Sequence, residues 1–378
     1  MAFGMRSTRS RSTDVARIPV TQQPPLTGDG TESGALLEVR NLSVKFPTDD
    51  GDVHAVDDVT FTLDPEETLG IVGESGSGKS VTSMAILGLL PKSAVVTGSV
   101  RFQGRELLGL GEREVRKLRG ERLAMVFQDA LASLNPVFTV GSQISEAISV
   151  HHDVPGDELK GRVVEMLDLV GIPNPSERAD QYPHEFSGGM RQRAMIAMSI
   201  ANEPDVLIAD EPTTALDVTI QAQVLEVLER IQDRTSSSIL LITHDLGVVA
   251  GTADRVLVMY AGRQVELGSV DDVFYDPRHP YTRGLLASLP RIDGTRDTRL
   301  HRIVGQPPSL IFLPTGCAFH PRCPHAHVPG PCNEQRPELK SLTALHRSAC
   351  HYAEELPQMS TADLKADAVD PGAEVPQP

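Results

Sequence analysis

The sequence predicts an α/β fold built around a mostly parallel β-sheet. Two short, nearly all-apolar segments, DVLIAD (205–210) and SILLITH (238–244), are typical of strands buried on both faces of such a sheet. Between them, QAQVLEVLERIQDRT (221–235) has the spacing of an amphipathic helix and completes a right-handed βαβ unit. The strand-like ETLGIV (67–72), a glycine-rich turn and the helical KSVTSMAILGLL (79–90) repeat the strand-to-helix order.

An antiparallel β-region precedes and interrupts this core. LLEVRNLSVKF (36–46) and AVDDVTFTL (55–63) alternate apolar and polar residues as strands do, with the turn-rich PTDDGD (47–52) between them. GSVRFQG (98–104) reads as a further strand. These segments predict a β-subdomain beside the parallel sheet.

A helical region and a hairpin complete the pattern. Residues 135–200 are mostly helical, and ELKGRVVEMLDLVGI (158–172) carries its apolar residues at helical spacing. RLAMVF (122–127) precedes this region as a predicted strand, and RVLVMYAGRQVELG (255–268) predicts a hairpin.

Composition shifts divide the chain into four parts. Residues 1–33 and 353–378 are rich in Ser, Thr, Pro or Ala, and they predict a disordered N-terminal tail and a disordered acidic C-terminal tail. Residues 34–270 form the predicted α/β domain, with its helical subdomain at about 135–200. Residues 271–352 turn Pro-, Arg- and His-rich and contain all four cysteines, which predicts a small C-terminal extension.

The charge balance excludes some partners. A formal net charge of -16 argues against nonspecific binding to nucleic acid and to anionic lipid. No apolar segment approaches the ~20 residues that span a bilayer. We therefore expect a soluble chain, or one that reaches a membrane through partner chains. The basic N-terminus lacks the apolar features of a targeting segment.

GESGSGKS (73–80) matches the phosphate-loop pattern G-x-x-x-x-G-K-[ST] between a predicted strand and helix. The glycines let backbone N–H groups wrap a phosphate, and the following helix points its positive end at the same place. Lys79 can reach the β and γ oxygens, and the Ser80 hydroxyl can bind Mg²⁺. The predicted nucleotide-binding residues of this loop are Gly73, Glu74, Ser75, Gly76, Ser77, Gly78, Lys79 and Ser80. The loop alone does not distinguish a kinase, a GTPase and an ATPase.

Two acids end the buried strand VLIADE (206–211). Asp210 is placed to hold Mg²⁺, directly or through water, and Glu211 to accept a proton from an attacking water. His244 ends the next strand at the same ligand-binding edge and can donate to the γ-phosphate. The alternatives are solvated loop acids and a structural histidine.

FSGGMRQR (186–193) resembles the signature sequence of ABC-type ATPases. The other motifs occur in that family's order: phosphate loop, Gln128, signature, Asp210–Glu211, ALD (215–217) and His244. The resemblance covers roughly residues 36–268 and implies a P-loop ABC ATPase domain that uses ATP and Mg²⁺. Physically, Ser187 is a good N-cap, and the helix that follows offers N–H groups to an anion.

The resemblance implies a role for each matching residue. Lys79 and Ser80 would bind phosphate and Mg²⁺, Gln128 would sense the metal and the water, and Glu211 would polarise the water. His244 would contact the γ-phosphate. In the family, the signature residues bind the ATP held by a facing subunit; here they are Ser187, Gly188 and Gly189, with Asp217 signalling across the interface.

The resemblance does not single out one residue for stacking on adenine. The family stacks adenine on an aromatic side chain early in the domain, and Phe46 is the nearest match. The PTDDGD insertion shifts the register, so His54 is a rival, and Phe46 can equally be an ordinary strand residue.

Three further segments resemble the ATP-binding subunits of dipeptide and oligopeptide importers: QDALASLNPVFTVGSQI (128–144), YPHEFSGGMRQR (182–193) and DPRHPYTRGLLASLP (276–290). Nickel importers of that subfamily share much of them. The resemblance implies two transmembrane permease subunits, a second ATPase subunit (usually a different chain), an extracytoplasmic substrate-binding protein and a place on the cytoplasmic face of the membrane. A DNA-repair or chromosomal ABC ATPase is disfavoured by the acidic charge and the missing coiled coil. An inactive binding protein is disfavoured by the intact motifs.

The cysteines are spaced C-x5-C-x8-C-x17-C: Cys317, Cys323, Cys332 and Cys350. A disulfide is unexpected in a reducing compartment, and four thiolates can converge on a metal. The spacing departs from the usual zinc and ferredoxin patterns, so chemistry alone leaves the metal open. GCAFHPRC (316–323) resembles the C-terminal extension of peptide-importer ATPases, which implies a [4Fe–4S] cluster, with zinc or unmetallated thiols as alternatives.

Overall fold

The computed structural model describes residues 34–129, 133–214, 217–289 and 302–357. Within these ranges no helix is both long and apolar enough to cross a membrane. The described strands are β1 (Leu37–Thr48), β2 (Gly51–Leu63), β3 (Thr68–Val72), β4 (Val95–Phe102), β5 (Arg105–Glu106), β6 (Leu123–Val126), β7 (Val206–Asp210), β8 (Ser238–Thr243), β9 (Arg255–Tyr260), β10 (Arg263–Ser269), β11 (Lys340–Ser341) and β12 (Arg347–Ser348).

The described helices alternate with these strands. They are α1 (Lys79–Ile86), α2 (Glu112–Leu118), α3 (Val140–Ser149), α4 (Gly156–Leu169), α5 (Pro175–Arg178), α6 (Gly188–Ser199), α7 (Val218–Thr235), α8 (Leu246–Thr252), α9 (Val270–Tyr275), α10 (Pro280–Ala287) and α11 (Pro331–Glu334), with 3₁₀ turns at Pro183–Glu185 and His320–Arg322.

The central sheet has the strand order β11-β12-β10-β9-β3-β8-β7-β6. Strands β9, β3, β8, β7 and β6 are parallel, which confirms the predicted α/β class. Every residue of β3, β7 and β8 is buried, as their continuous apolar sequences require. The phosphate loop, Gln128, Asp210 and His244 follow or end these parallel strands, so they meet at one edge of the sheet.

A second sheet, β2-β1-β4-β5, is antiparallel and packs beside the first. Leu37, Val39 and Phe61 are buried in the hydrophobic cluster that also contains Leu69 and Ile71 of the central sheet. The predicted β-subdomain therefore shares its core with the parallel sheet.

The helical region predicted for residues 135–200 is present as α3, α4, α5 and α6. Its apolar faces join a cluster around Ile144, Leu167 and Ile196, which also receives Val224 and Val227 of α7. Helix α6 packs against α3, α4, α7 and β6. The signature segment at its start is thereby attached to the helical region rather than to α1.

The described residues of the C-terminal extension pack onto the central sheet. Strand β12 pairs with β10, Glu266 opposite Ser348. The rings of Tyr260, Tyr281 and Phe319 lie 4.6 to 5.4 Å apart by centroid. The domain boundary at 270 stays a prediction, because one hydrophobic cluster contains residues from both sides of it.

The two predicted tails lie mostly outside the described residues. Nothing in 1–33 is described, and only 353–357 of the acidic tail are. Ala353 and Leu356 are buried, and the Arg278 guanidinium donates to the Leu356 carbonyl at 3.0 Å. Packing therefore extends at least to Leu356.

Candidate functional site

The phosphate loop follows β3 and ends where α1 begins. Gly73, Gly76 and Gly78 all have positive φ angles, of 155°, 77° and 100°. A Cβ atom at Gly78 would lie 2.3 Å from the Ala55 carbonyl oxygen, so a side chain there needs both strain and displacement. Helix α1 has no side-chain cap at its N-terminus. Its first N–H groups are thus available to an anion, as phosphate binding requires.

Lys79 lies buried in the middle of this loop. Its Nζ donates to the carbonyl oxygens of Gly73 and Glu74 at 2.8 and 3.0 Å. Burial lowers the pKa of its ammonium group, and the nearby Glu211 and Asp210 carboxylates oppose that shift. The two carbonyls hold the ammonium group within the loop. The phosphates of a bound nucleotide would replace these carbonyls as its hydrogen-bond acceptors.

Ser80 and Asp210, two of the three predicted magnesium ligands, lie together, and the third, Gln128, lies beside Glu211. The Ser80 hydroxyl donates to the Asp210 Oδ1 at 3.0 Å, and the Asp210 side chain is buried. Burial raises the pKa of the Asp210 carboxyl group, and the Ser80 hydrogen bond opposes the rise. A hydroxyl and a carboxylate at this separation are the oxygen ligands that Mg²⁺ prefers, so the residues fit the ion.

Glu211 lies at the centre of a polar cluster beside the magnesium site. Its Oε2 accepts from the Thr214 hydroxyl at 2.8 Å and from Gln128 Nε2 at 3.3 Å, and it lies 3.4 Å from His244 Nδ1. Glu211 has a φ of 47°, a strained conformation that turns the chain away from β7 directly after Asp210. The structure thus brings the three predicted catalytic residues together around one carboxylate oxygen.

Thr214 also belongs to the polar cluster around Glu211 and was not predicted from the sequence. Its hydroxyl fixes the Glu211 carboxylate from three residues further along the same loop. A hydroxyl three residues after a strand-end acid can reach that acid's carboxylate. The sequence EPTT (211–214) therefore contains the pattern from which this contact could be predicted.

The signature segment forms the start of helix α6. The Ser187 hydroxyl accepts from the Met190 N–H at 3.3 Å and caps α6 as predicted. Gly188 and Gly189 are the first residues of that helix. Their binding of a nucleotide held by another subunit stays a prediction.

The remaining predicted nucleotide ligands have local structural roles. Asp217 accepts from the N–H groups of Thr219 and Ile220 at 3.1 and 3.0 Å and caps α7, whereas the preceding two residues of the ALD motif lie outside the described ranges. Phe46 lies in β1 opposite Val53 and packs against the core, while His54 is exposed. The adenine-stacking role of Phe46 stays a prediction.

Gly189 and Gly188 offer a matched pair for a stability measurement. A Cβ at Gly189 would lie 2.7 Å from Ile220 Cγ2, whereas one at Gly188 would meet nothing within 4 Å. We expect Gly189→Ala to be about 1–2 kcal/mol less stable than Gly188→Ala, because overpacking offsets the gain in helix propensity. Urea unfolding of both variants measures the difference, and equal midpoints would contradict it.

The four cysteines lie around one small cavity, which is lined mainly by apolar surface and to which all four contribute. No disulfide joins them within the described ranges. The Cys317 N–H donates to the Cys332 carbonyl at 2.9 Å, which closes the segment between them. The four cysteines therefore lie near one another, and their binding of a metal stays a prediction.

Burial governs the chemistry of these thiols. It raises the pKa of Cys323 to about 12 and that of Cys350 to about 11, and it also raises the pKa of Cys317. Neighbouring cysteines add to each rise, because thiolates in one apolar cavity repel one another. Four thiolates here need a cation to neutralise them. Over the described residues, no three His, Cys, Asp or Glu side chains are grouped to hold a single metal ion.

Two family models match the chain. The model described as ABC transporter matches residues 56–214, and the oligopeptide/dipeptide transporter C-terminal region matches residues 265–329. The second match spans the segment that carries Cys317 and Cys323.

Individual relatives extend the match. The oligopeptide transport ATP-binding protein OppD of Escherichia coli (strain K12) is 52% identical over 313 residues, or 83% of this chain and 90% of that protein. OppD of Mycobacterium tuberculosis is 53% identical over 87% of this chain, which spans only 54% of that relative's length. A dimeric post-hydrolysis structure of the ATP-binding cassette MJ0796, bound to ADP and Pi, has a TM-score of 0.56 at 24% identity and covers 62% of this chain and 98% of that chain. That likeness shows the fold.

Proposed function

Because this chain belongs to the ATP-binding proteins of the ABC transporter family, of the oligopeptide type, we propose that it hydrolyses ATP to drive the import of di- or oligopeptides. The observation that carries the proposal is the cluster around Glu211 beside the Lys79–Ser80–Asp210 site. Its parts are those that phosphoryl transfer to water requires: a phosphate cradle, metal ligands and a base.

Each of these groups has a step in the proposed reaction. Lys79 exchanges its bonds to the Gly73 and Glu74 carbonyls for bonds to the β and γ phosphates. Ser80 and Asp210 would hold Mg²⁺, which neutralises the charge on the phosphate oxygens. Gln128 orients the Glu211 carboxylate, which accepts a proton as water attacks the γ-phosphate. His244, more than half exposed, lies where it can donate to that phosphate.

The separate signature site supports a two-subunit cycle. Ser187, Gly188 and Gly189 would bind the ATP held by a facing ATPase subunit, with Asp217 signalling between the two. ATP binding then closes the pair, and hydrolysis reopens it. The facing subunit would be a different chain, because this subfamily usually pairs two different ATPase chains.

Exposed apolar residues near Gln128 support a docking site for the permeases. Phe127 precedes Gln128 and Val137 and Phe138 follow it, and they are 41%, 73% and 54% exposed. Large apolar side chains left in solvent are candidates for contact with another protein. Two transmembrane permeases would bind there, and they would place the chain on the cytoplasmic face of the membrane. An extracytoplasmic binding protein would deliver the cargo.

Stimulated hydrolysis tests the cargo. The purified complex of this chain, its permeases and the second ATPase should hydrolyse ATP faster with a peptide-loaded binding protein than with the unloaded one. Stimulation by a nickel-loaded binding protein, and none by peptide, would replace the peptide assignment with the nickel alternative.

For the cysteine cavity we propose a [4Fe–4S] cluster held by Cys317, Cys323, Cys332 and Cys350. The donor set fits, because each thiolate of such a cluster binds its own iron and the four thiols surround one cavity. Zinc is the alternative occupant, because four sulfurs also satisfy one zinc ion. The cluster would have a structural or regulatory role, because the cavity lies outside the hydrolytic site.

An anaerobic preparation tests the cluster. We expect a brown protein with a broad visible absorption band and about four irons per chain, all lost in Cys323→Ser. A colourless anaerobic sample with stoichiometric zinc would contradict the iron assignment.

A further inference from the structure

The C-terminal extension (residues 271–352) contacts the phosphate loop through Arg322. Arg322 Nη1 and Nη2 donate to the Glu74 Oε2 and Oε1 at 2.7 and 3.0 Å, a two-pronged contact between residues 248 positions apart. Glu74 is the second residue of the loop. The Arg322 side chain is 5% exposed and that of Glu74 is 27% exposed, so solvent screens this ion pair only in part.

Two tyrosines hold the arginine and the loop in place. The Arg322 guanidinium lies over the Tyr260 ring, 5.7 Å from its centroid, and Nη1 donates to the Tyr260 hydroxyl at 3.3 Å. The Glu74 N–H donates to the Tyr281 hydroxyl at 2.8 Å. Both tyrosines pack against Phe319. The aromatic cluster thus orients both ends of the contact.

All three polar groups of Glu74 are therefore occupied. Its carboxylate accepts from Arg322, its N–H donates to Tyr281, and its carbonyl accepts from Lys79 and from the Ser77 N–H within the loop. The Lys79 bond is the one that nucleotide binding would break. The Arg322 and Tyr281 bonds come from beyond residue 270, and they would keep the loop backbone fixed while Lys79 changes partners.

We propose that Arg322 is a positioning residue for ATP binding, acting through Glu74, and that the cysteine-bearing segment thereby sets the ATP affinity of the phosphate loop. The inference deepens the proposed function and rests on it for the identity of the nucleotide. Without the contact, the loop would have to be ordered by the nucleotide itself, at a cost in affinity.

Equilibrium binding of a fluorescent ATP analogue to the full-length chain tests this proposal. We expect Arg322→Met and Glu74→Gln each to raise the dissociation constant about 10-fold, and the double variant to raise it no further, because the two residues act as one pair. Arg322→Lys should recover only part of the affinity, since lysine lacks the planar fork. Arg336→Met is the matched control, because Arg336 is an exposed arginine of the same segment that pairs with Asp57.

The kinetic readout separates positioning from general damage. In the assembled complex, Arg322→Met should raise KM for ATP with kcat within about twofold of the wild type. An unchanged dissociation constant in Arg322→Met or Glu74→Gln would overturn the proposal, as would additive effects in the double variant. If Arg322→Met does not fold, Glu74→Gln and Arg322→Lys give the same comparison. If the wild-type complex binds nucleotide normally but does not hydrolyse ATP, the result would instead count against the proposed function.

Discussion

Glu211→Gln is expected to reduce ATP hydrolysis by the assembled complex at least ~100-fold, the low end of the contribution of a general base, while ATP still binds. Glutamine keeps the shape and the hydrogen bond from Thr214, but its amide cannot accept the proton of the attacking water. Retained ATP should accumulate in a closed ATPase pair. Release of inorganic phosphate and the nucleotide content of the purified complex measure the two effects.

Glu229→Gln is the control for this substitution, because Glu229 is an exposed residue of α7 away from the site. It should hydrolyse ATP at the wild-type rate. Wild-type turnover in Glu211→Gln would show that another group removes the proton, and His244 would be the next candidate.

Lys79→Met is expected to weaken ATP binding about 100-fold, or ~2.7 kcal/mol, since it removes a charged hydrogen-bond donor from a buried site. Methionine retains the length and apolar packing of the buried lysine stem, so the fold should persist. Titration calorimetry with ATP measures the loss. The exposed Lys92→Met serves as control, and equal affinities in both variants would contradict the role of Lys79.

The lowered pKa of Lys79 in the nucleotide-free protein should make ATP affinity depend on pH. Because burial lowers that pKa, the ammonium loses its proton at a lower pH than an ordinary lysine does. ATP binds the protonated form, so affinity should fall as pH rises, beginning below the usual lysine range. The same titration in Lys79→Met should lose this component.

The positions of the proposed hydrolytic residues could be predicted from sequence because each belongs to a short local motif. A phosphate loop is built from consecutive residues between a strand and a helix, and Asp210 and Glu211 are neighbours at a strand end. The strands that carry them are apolar on both faces, so their burial and their shared edge follow from composition.

The contacts of the C-terminal segment could not be predicted in the same way. Arg322 and Glu74 are 248 positions apart, and no spacing rule relates them. Strands β11 and β12 have two residues each, too few to show a period. Their pairing depends on tertiary packing around Tyr260, Tyr281 and Phe319, which local sequence does not encode.

Uptake into proteoliposomes tests the central claim most directly. Vesicles would contain the permeases with this chain and the second ATPase, with ATP on the side of the ATPases and a peptide-loaded binding protein opposite. We expect ATP-dependent accumulation of a labelled oligopeptide with the wild-type chain and with Glu229→Gln, and none with Glu211→Gln. Equal accumulation with Glu211→Gln, or no peptide accumulation by a wild-type complex that hydrolyses ATP, would contradict the claim.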